Sequence, residues 1–354
     1  MKIKKEIIDS AKGPVACFTI ENSSGAKVTL SEIGAGIIAV TVPDSAGRLD
    51  DVVMGYAHID SYFGDGPAAG KTPGRYANRI ARGQFLLDGR LHTLPVNLPP
   101  NHLHGGDDGF HQRLWRGEVT GCDSVRFTLM SADGDNGYPG NLKAEVTYRW
   151  EDSCSLHISY MAETDAPTVI NLTNHAYWNL AGHNAGTDAA LAHELTLHMP
   201  SFLETDRHLT PTGAVLPAAG TPMDFSVAKP LGRDLHAPYQ PLLFGKGYDH
   251  FWAFDNPPAT GELRCAAVLH DPSSGRTLTV LTDQPGMQLY TGNWLTGSPA
   301  GKDGAVYHDY CAVALECQGY PDAPNHPGFP SQRLDPGTTY RRTIVYALSA
   351  GQPD

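Results

Sequence analysis

Apolar and polar residues alternate in short runs along nearly the whole chain, and no segment sustains the three-to-four-residue stripe of a surface helix. Residues 15–21, 27–33 and 36–42 each have strand length, with a turn at 22–25 between the first two and Pro43 closing the third. Residues 84–93 read as a hairpin, because Asp88-Gly89 supplies the positive φ angles of a tight type I′ turn. Further strands are expected at 125–130, 142–150 and 156–163, with 151–153 as a connection. The pattern resumes at 195–199, 263–270, 277–281, 287–290, 311–316 and 343–348.

So many short strands need two packed layers or a closed sheet to bury their apolar faces, which predicts an all-β fold. Residues 200–247 break the pattern with dense proline and glycine, as a binding loop or an inter-domain linker would. Strand-like segments flank this region on both sides, so residues 1–354 are expected to form a single domain.

Composition supports this reading. The 354 residues include 38 glycines and 27 prolines, which fits a chain that turns often. The formal charge of -12, with no block of Lys or Arg, argues against a groove that tracks nucleic-acid phosphates. No apolar stretch has the length of a signal peptide core or a membrane span, so a cytoplasmic location is expected. Six dispersed cysteines without a CxxC pair read as free thiols in a reducing compartment.

Three superficial motifs fail. Gly34-x-Gly36-x-x-Ala39 has the spacing of a dinucleotide fingerprint, but the β-branched run that follows cannot open the required helix. Asp133–Gly137 resembles a calcium loop, yet Ala144 stands where a bidentate Glu is needed. His102-x-His104, with His111 beyond, places two imidazoles on one face of an extended chain but lacks a carboxylate at companion spacing, so no metal is expected.

Other segments combine aromatic, amide and charged side chains with glycine, the materials of a site for a neutral, hydroxyl-rich ligand. They are Gly-Arg-Tyr-Ala-Asn-Arg-Ile at 74–80, Asn-His-Leu-His-Gly-Gly at 101–106, Asn-Leu-Thr-Asn-His-Ala-Tyr-Trp-Asn-Leu at 171–180 and Tyr-Asp-His-Phe-Trp at 248–252. Two more lie at 283–294, Asp-Gln-Pro-Gly-Met-Gln-Leu-Tyr-Thr-Gly-Asn-Trp, and at 314–325, Ala-Leu-Glu-Cys-Gln-Gly-Tyr-Pro-Asp-Ala-Pro-Asn. Along 311–316, alternation sets Glu316 on the face of Ala312 and Ala314, small residues that leave room for a ligand, while Cys311, Val313, Leu315 and Cys317 take the other face. Gln288 and Tyr290 share a face of their own strand. His175, with Tyr177 and Trp178 beside it, can exchange a proton near neutral pH. From these residues alone, a carbohydrate-binding module and a glycoside hydrolase using Asp249 and Glu316 stay open beside a proton-transfer enzyme.

These segments, in this order, resemble the aldose 1-epimerase (galactose mutarotase) family. The resemblance implies a galactose mutarotase-like β-supersandwich of predominantly antiparallel sheets, acting on free aldose sugars such as glucose and galactose without a cofactor. By motif, His175 is similar to the general acid and Glu316 to the general base. Asn78, Arg79, His104, Tyr177, Asp249 and Gln288 are similar to the residues that hold the sugar. The chemistry calls for an ionised Glu316 and a protonated His175. Trp178 and Trp252 are open between sugar-facing and core positions. Trp178 and Trp294 stand where the family commonly has Phe, and Gly319-Tyr320 replaces an Asn-Trp pair, which bears on sugar preference. Monomer and homodimer are both left open.

Overall fold

The computed structural model describes residues 1–351, so the last three positions of the expected domain, residues 352–354, lie outside the described residues. Three sheets account for most of it, and every strand-to-strand pairing within them is antiparallel. The all-β, antiparallel architecture is therefore as expected. Leu142–Trp150 pairs with Ser155–Thr164, Ser155–Thr164 with Tyr340–Ala350, and Tyr340–Ala350 with Arg276–Thr282, forming the centre of a nine-stranded sheet. A five-stranded sheet runs from Lys2–Ser10 to Leu49–Asp51. The third sheet has six strands, in the order Tyr177–Trp178, Val313–Gln318, Gly286–Tyr290, Asp249–Ala253, Ser201–Thr205 and Pro211–Pro217.

The hairpin 84–93 forms with Asp88 at φ 51° and Gly89 at φ 77°, the signs a type I′ turn requires. Two expectations need correction. Lys2–Ser10, where the sequence pattern predicts no strand, is a nine-residue edge strand paired along its length with Gly13–Glu21. Residues 200–247 are not a plain excursion either: they contribute Ser201–Thr205 and Pro211–Pro217 to the six-stranded sheet. The second of these is an edge strand bounded by its two prolines, which an edge tolerates because only one side of the ladder needs N–H donors.

The six-stranded sheet separates core from site. Met287, Leu289, Val313, Leu315, Cys317 and Trp252 point into one apolar cluster that also contains Val146, Ile158, Val280 and Ile344 of the nine-stranded sheet. The Tyr346 hydroxyl crosses this layer to donate to the Leu315 carbonyl at 3.1 Å. Period-two alternation then forces Ala314, Glu316, Gln288, Tyr290 and Asp249 onto the opposite face. The strand carrying Glu316 spans Val313–Gln318, two residues later than expected. Tyr310, at φ 66°, bends the chain, and Cys311 joins Tyr56, Tyr177 and Tyr307 in a separate cluster rather than the face of Val313. Glu316 is therefore interior to its strand and 2% exposed.

Candidate active site

A cavity of about 390 Å³ opens on that second face. Of the residues singled out by sequence, Asn78, Arg79, His104, His175, Tyr177, Asp249 and Glu316 line it. Register explains part of the convergence. Asp249 lies opposite Tyr290, Tyr290 opposite Ala314, and Ala314 opposite Tyr177, while Gln288 lies opposite Glu316 in the adjacent row. His175 comes from the segment before Tyr177. Its N–H donates to the Lys71 carbonyl and its carbonyl accepts from the Gly70 N–H, both at 2.9 Å. Gly70 has no space for a side chain, since a Cβ there would sit 1.8 Å from the Ile37 carbonyl oxygen.

His175 Nε2 lies 3.5 Å from Glu316 Oε1, longer than a good hydrogen bond, so the two groups are adjacent without being committed to each other. Both are almost fully buried, and Glu316 Oε2 and His175 Nδ1 have no protein partner. Buried polar atoms are ordinarily paired, so these orphans mark where a ligand belongs. Burial pulls the His175 imidazole down to about 4, with the nearby Asp249 charge opposing and Lys71 adding to the shift. Burial likewise raises Glu316 well above the usual carboxylate range; the charge of Asp249 adds to this and Arg79 counters it. Burial thus favours a protonated Glu316 beside a neutral His175, the reverse of the arrangement expected from sequence. An uncharged pair is cheaper to bury than an ion pair.

The raised Glu316 value has a consequence for stability. A carboxyl that holds its proton more tightly when folded supports the fold below its unfolded value of ~4.3 and loses that support as pH rises toward its folded value. Glu316→Gln should therefore raise Tm at neutral pH, and the gain should vanish near pH ~4. Thermal scans of both proteins at the two pH values check this.

His104 and Asn78 fix each other. The Asn78 N–H donates to His104 Nδ1 at 3.0 Å, and the His104 N–H donates to the Asn78 carbonyl at 3.1 Å. Both residues sit at positive φ, a strained conformation that persists only where surroundings enforce it. Because a backbone N–H can only donate, Nδ1 is the acceptor and the proton of neutral His104 resides on Nε2, where it can be donated to a ligand. Burial, with the neighbouring imidazoles His175 and His111, holds His104 neutral well below the usual histidine range.

That tautomer bears on metal binding. Ligand atoms of His104, His175 and Glu316 lie within 4.8 Å of one another, a spacing that a metal ion could bridge. A metal-bound histidine offers one bare nitrogen and donates from the other. In His104 one nitrogen accepts from Asn78 and the other carries the proton, so the set does not fit a metal. His102 does not share this face as expected: its nitrogens are taken by the Pro95 carbonyl and the Tyr138 hydroxyl. Exhaustive chelation is expected to leave the catalysed rate unchanged, and restoration of a lost rate by zinc would contradict the tautomer argument.

Arg79, Asp249 and Gln288 form a chain. Arg79 Nη2 meets Asp249 Oδ2 at 3.1 Å, and Gln288 Nε2 donates to Asp249 Oδ1 at 2.6 Å. With both oxygens engaged, Asp249 has the setting of an anchor rather than the second carboxylate of a hydrolase. Gln288 itself is not in the cavity wall; its contribution runs through Asp249.

A family model described as aldose 1-epimerase matches residues 16–347. The chain belongs to the aldose 1-epimerase family. It is 40% identical to the galactose mutarotase of Homo sapiens over 342 residues, covering 97% of this chain and 96% of that protein. It is 35% identical to the aldose 1-epimerase of Escherichia coli, covering 95% and 96%. The crystal structure of the GalM/aldose epimerase homologue from C. elegans superposes with a TM-score of 0.86 at 32% identity, covering 99% of this chain and all of the other.

Trp178 and Trp252 are both core residues, packed on Tyr346 and on Phe225 respectively, so neither faces a sugar. The aromatic surface of the cavity comes instead from Tyr177, Tyr290 and Trp294, the last 63% exposed at the rim. The Tyr177 hydroxyl donates to the Pro67 carbonyl at 3.1 Å, and its ring packs on that of His175 at 4.8 Å. Tyr320 packs between Phe251 and Phe329 outside the cavity wall, so the Gly319-Tyr320 departure does not itself set the cavity's width. Gly66, Pro67, Leu98, Leu103 and Leu295 complete the wall and carried no chemical signal in sequence.

Proposed function

We propose that the cavity takes a free aldose and interconverts its α and β anomers, with Glu316 and His175 as the proton carriers. The observation that carries this reading is the 3.5 Å approach of His175 Nε2 to Glu316 Oε1 in a cavity where both groups keep unpartnered atoms. A sugar-binding module needs aromatic and amide contacts but has no use for such a pair. The E. coli relative is named for the same activity, and the H. sapiens relative is named a galactose mutarotase.

The two oxygens that must exchange protons, O1 and O5, are bonded to the same carbon, so an adjacent acid and base can address both. Ionised Glu316 takes the O1 proton as protonated His175 gives one to O5; the C1–O5 bond breaks and the aldehyde forms. This leaves a protonated Glu316 and a neutral His175, the state that burial favours, so the cavity stabilises the open form of the sugar–enzyme complex. Rotation about C1–C2 presents the other face of the carbonyl. O5 then attacks C1, His175 recovers its proton, Glu316 returns its own to O1, and the pair ends as it began. Arg79, Asp249 and Asn78 hold the remaining hydroxyls so that the aldehyde stays bound while C1 turns. In this scheme His104 donates from Nε2–H toward the ring oxygen.

Throughout, the pair carries one proton, whichever residue holds it. Turnover over affinity should therefore fall as pH drops toward about 4, where His175 takes a second proton. It should fall again above the raised Glu316 value, where both are bare. Rates of each anomer's conversion across pH, corrected for the spontaneous reaction, give both limbs. The reading as a whole is tested by polarimetry of freshly dissolved α-glucose and α-galactose. Faster approach to equilibrium with protein is expected, and no acceleration with either sugar would contradict it.

A further inference from the structure

Lys71 is a buried cation that the proposed chemistry does not use. Its side chain is inaccessible to solvent, and its ammonium pairs with the equally buried Asp65 and donates to the Tyr62 carbonyl at 2.6 Å. Asp65 Oδ2 also accepts from the Ala69 N–H at 2.9 Å and from the Tyr56 hydroxyl at 3.1 Å. An ion pair taken wholly out of water seldom adds net stability over apolar residues of similar size, so its place in this fold asks for a role.

Its surroundings supply one. The chain between the two partners, residues 65–71, wraps the pair and reaches His175 by two routes. At one end, Gly70 and Lys71 bind the His175 backbone on both its N–H and its carbonyl. In the middle, the Pro67 carbonyl accepts from the Tyr177 hydroxyl, and the Tyr177 ring lies 4.8 Å from the His175 ring, tilted by 31°. Gly66 and Pro67 are at the same time part of the cavity wall. We propose that the buried Lys71–Asp65 pair is a positioning device for the epimerase reaction, holding the 65–71 turn so that His175 meets Glu316 at the geometry proton transfer needs. Lys71 and Asp65 touch no substrate in this scheme, and the proposal rests on the reading of His175 as a proton carrier.

The pair also acts on His175 electrostatically. His175 is faced by Glu316 and Asp249 from the sheet, by His104 from the 101–106 loop, by Tyr177 and Tyr290, and by Lys71. Of these the Asp249 charge favours its protonation, whereas Lys71 opposes it. Lys71 also acts on His111, which burial brings down to about 3.

The test removes both charges together, so that no unpaired ion is left buried: the Lys71→Met/Asp65→Asn double variant, in which the new amide keeps an acceptor oxygen for the Ala69 N–H and the Tyr56 hydroxyl. With the fold verified by circular dichroism, kcat should drop roughly 10-fold, as expected when a catalytic group is slightly misplaced, while KM changes little because Arg79 and Asp249 still anchor the sugar. The His175 imidazole, followed by 15N NMR, should titrate at higher pH than in the parent. Tyr177→Phe, which cuts only the link to Pro67 and does not threaten the core, should lower kcat in the same way. Unchanged kcat and an unchanged His175 titration in the folded double variant would overturn the proposal. If that variant does not fold, unchanged kcat in Tyr177→Phe does so. Should the parent protein fail to accelerate mutarotation at all, it is the functional reading that fails, and the NMR titration still decides whether the pair controls His175.

Discussion

Glu316→Gln is expected to lose on the order of 100- to 10,000-fold in mutarotation rate while sugar binding survives. The substitution keeps the shape of the side chain and its place opposite Gln288, but it removes the carboxylate proposed to take the O1 proton. Calorimetric titration with galactose should give an affinity within a few-fold of the parent. Turnover near the parent value would remove Glu316 as base. His175→Ala should fall by a similar factor. It also removes the ring that Tyr177 packs against, so a modest loss of affinity is expected there and not in Glu316→Gln.

The second large effect concerns anchoring. Arg79→Ala and Asp249→Ala each break the chain Arg79–Asp249–Gln288 and leave the other partner nearly buried and uncompensated, since the two side chains are 9% and 13% exposed. Truncating one member of such a buried pair commonly costs about 3–5 kcal/mol of folding stability, and each truncation also removes a charged group proposed to hold a sugar hydroxyl, worth about 1.5–3 kcal/mol or roughly ten- to a hundredfold in affinity. KM should therefore rise steeply in both variants. The kcat at saturation should fall less, because Glu316 and His175 remain in place. The opposite pattern for Asp249→Ala, with unaltered affinity and a rate loss equal to that of Glu316→Gln, would make Asp249 the base. Steady-state kinetics with galactose across both variants separates the two outcomes.

Much of the fold could be read from the sequence where a strand buries one face. Leu142–Trp150 alternates cleanly because one side packs into the core and the other meets solvent. Lys2–Ser10 was not legible, since most of its residues are exposed and Ile7 and Ile8 are adjacent, so no period of two arises; its backbone ladder to Gly13–Glu21 holds it. Ser201–Thr205 and Pro211–Pro217 were hidden by the prolines around them, which signal a loop; those of Pro211–Pro217 fit a strand because it lies at the sheet edge. Of the site, the side of the strand on which Glu316 stands followed from small neighbours, and motif resemblance supplied the companions from distant segments. Proximity did not follow: 141 positions separate His175 from Glu316, and the pairing of Tyr177–Trp178 with Val313–Gln318 brings them together. The protonation preference was equally out of reach, because it comes from burial rather than residue type. The same holds for Lys71, which reads as an ordinary surface lysine until the turn around Asp65 is seen.

The central claim is that His175 and Glu316 act as one proton-transfer unit, and a double-mutant cycle on anomer interconversion tests it most directly. Initial rates for the parent, His175→Ala, Glu316→Gln and the combined variant are measured by polarimetry with α-galactose, each corrected for the spontaneous reaction. If both protons move in a single event, removing the second carrier after the first costs little, and the double variant should be about as slow as the slower single variant. Losses that multiply, so that the double variant is impaired by the product of the two single effects, would show that the residues act independently and would contradict the account.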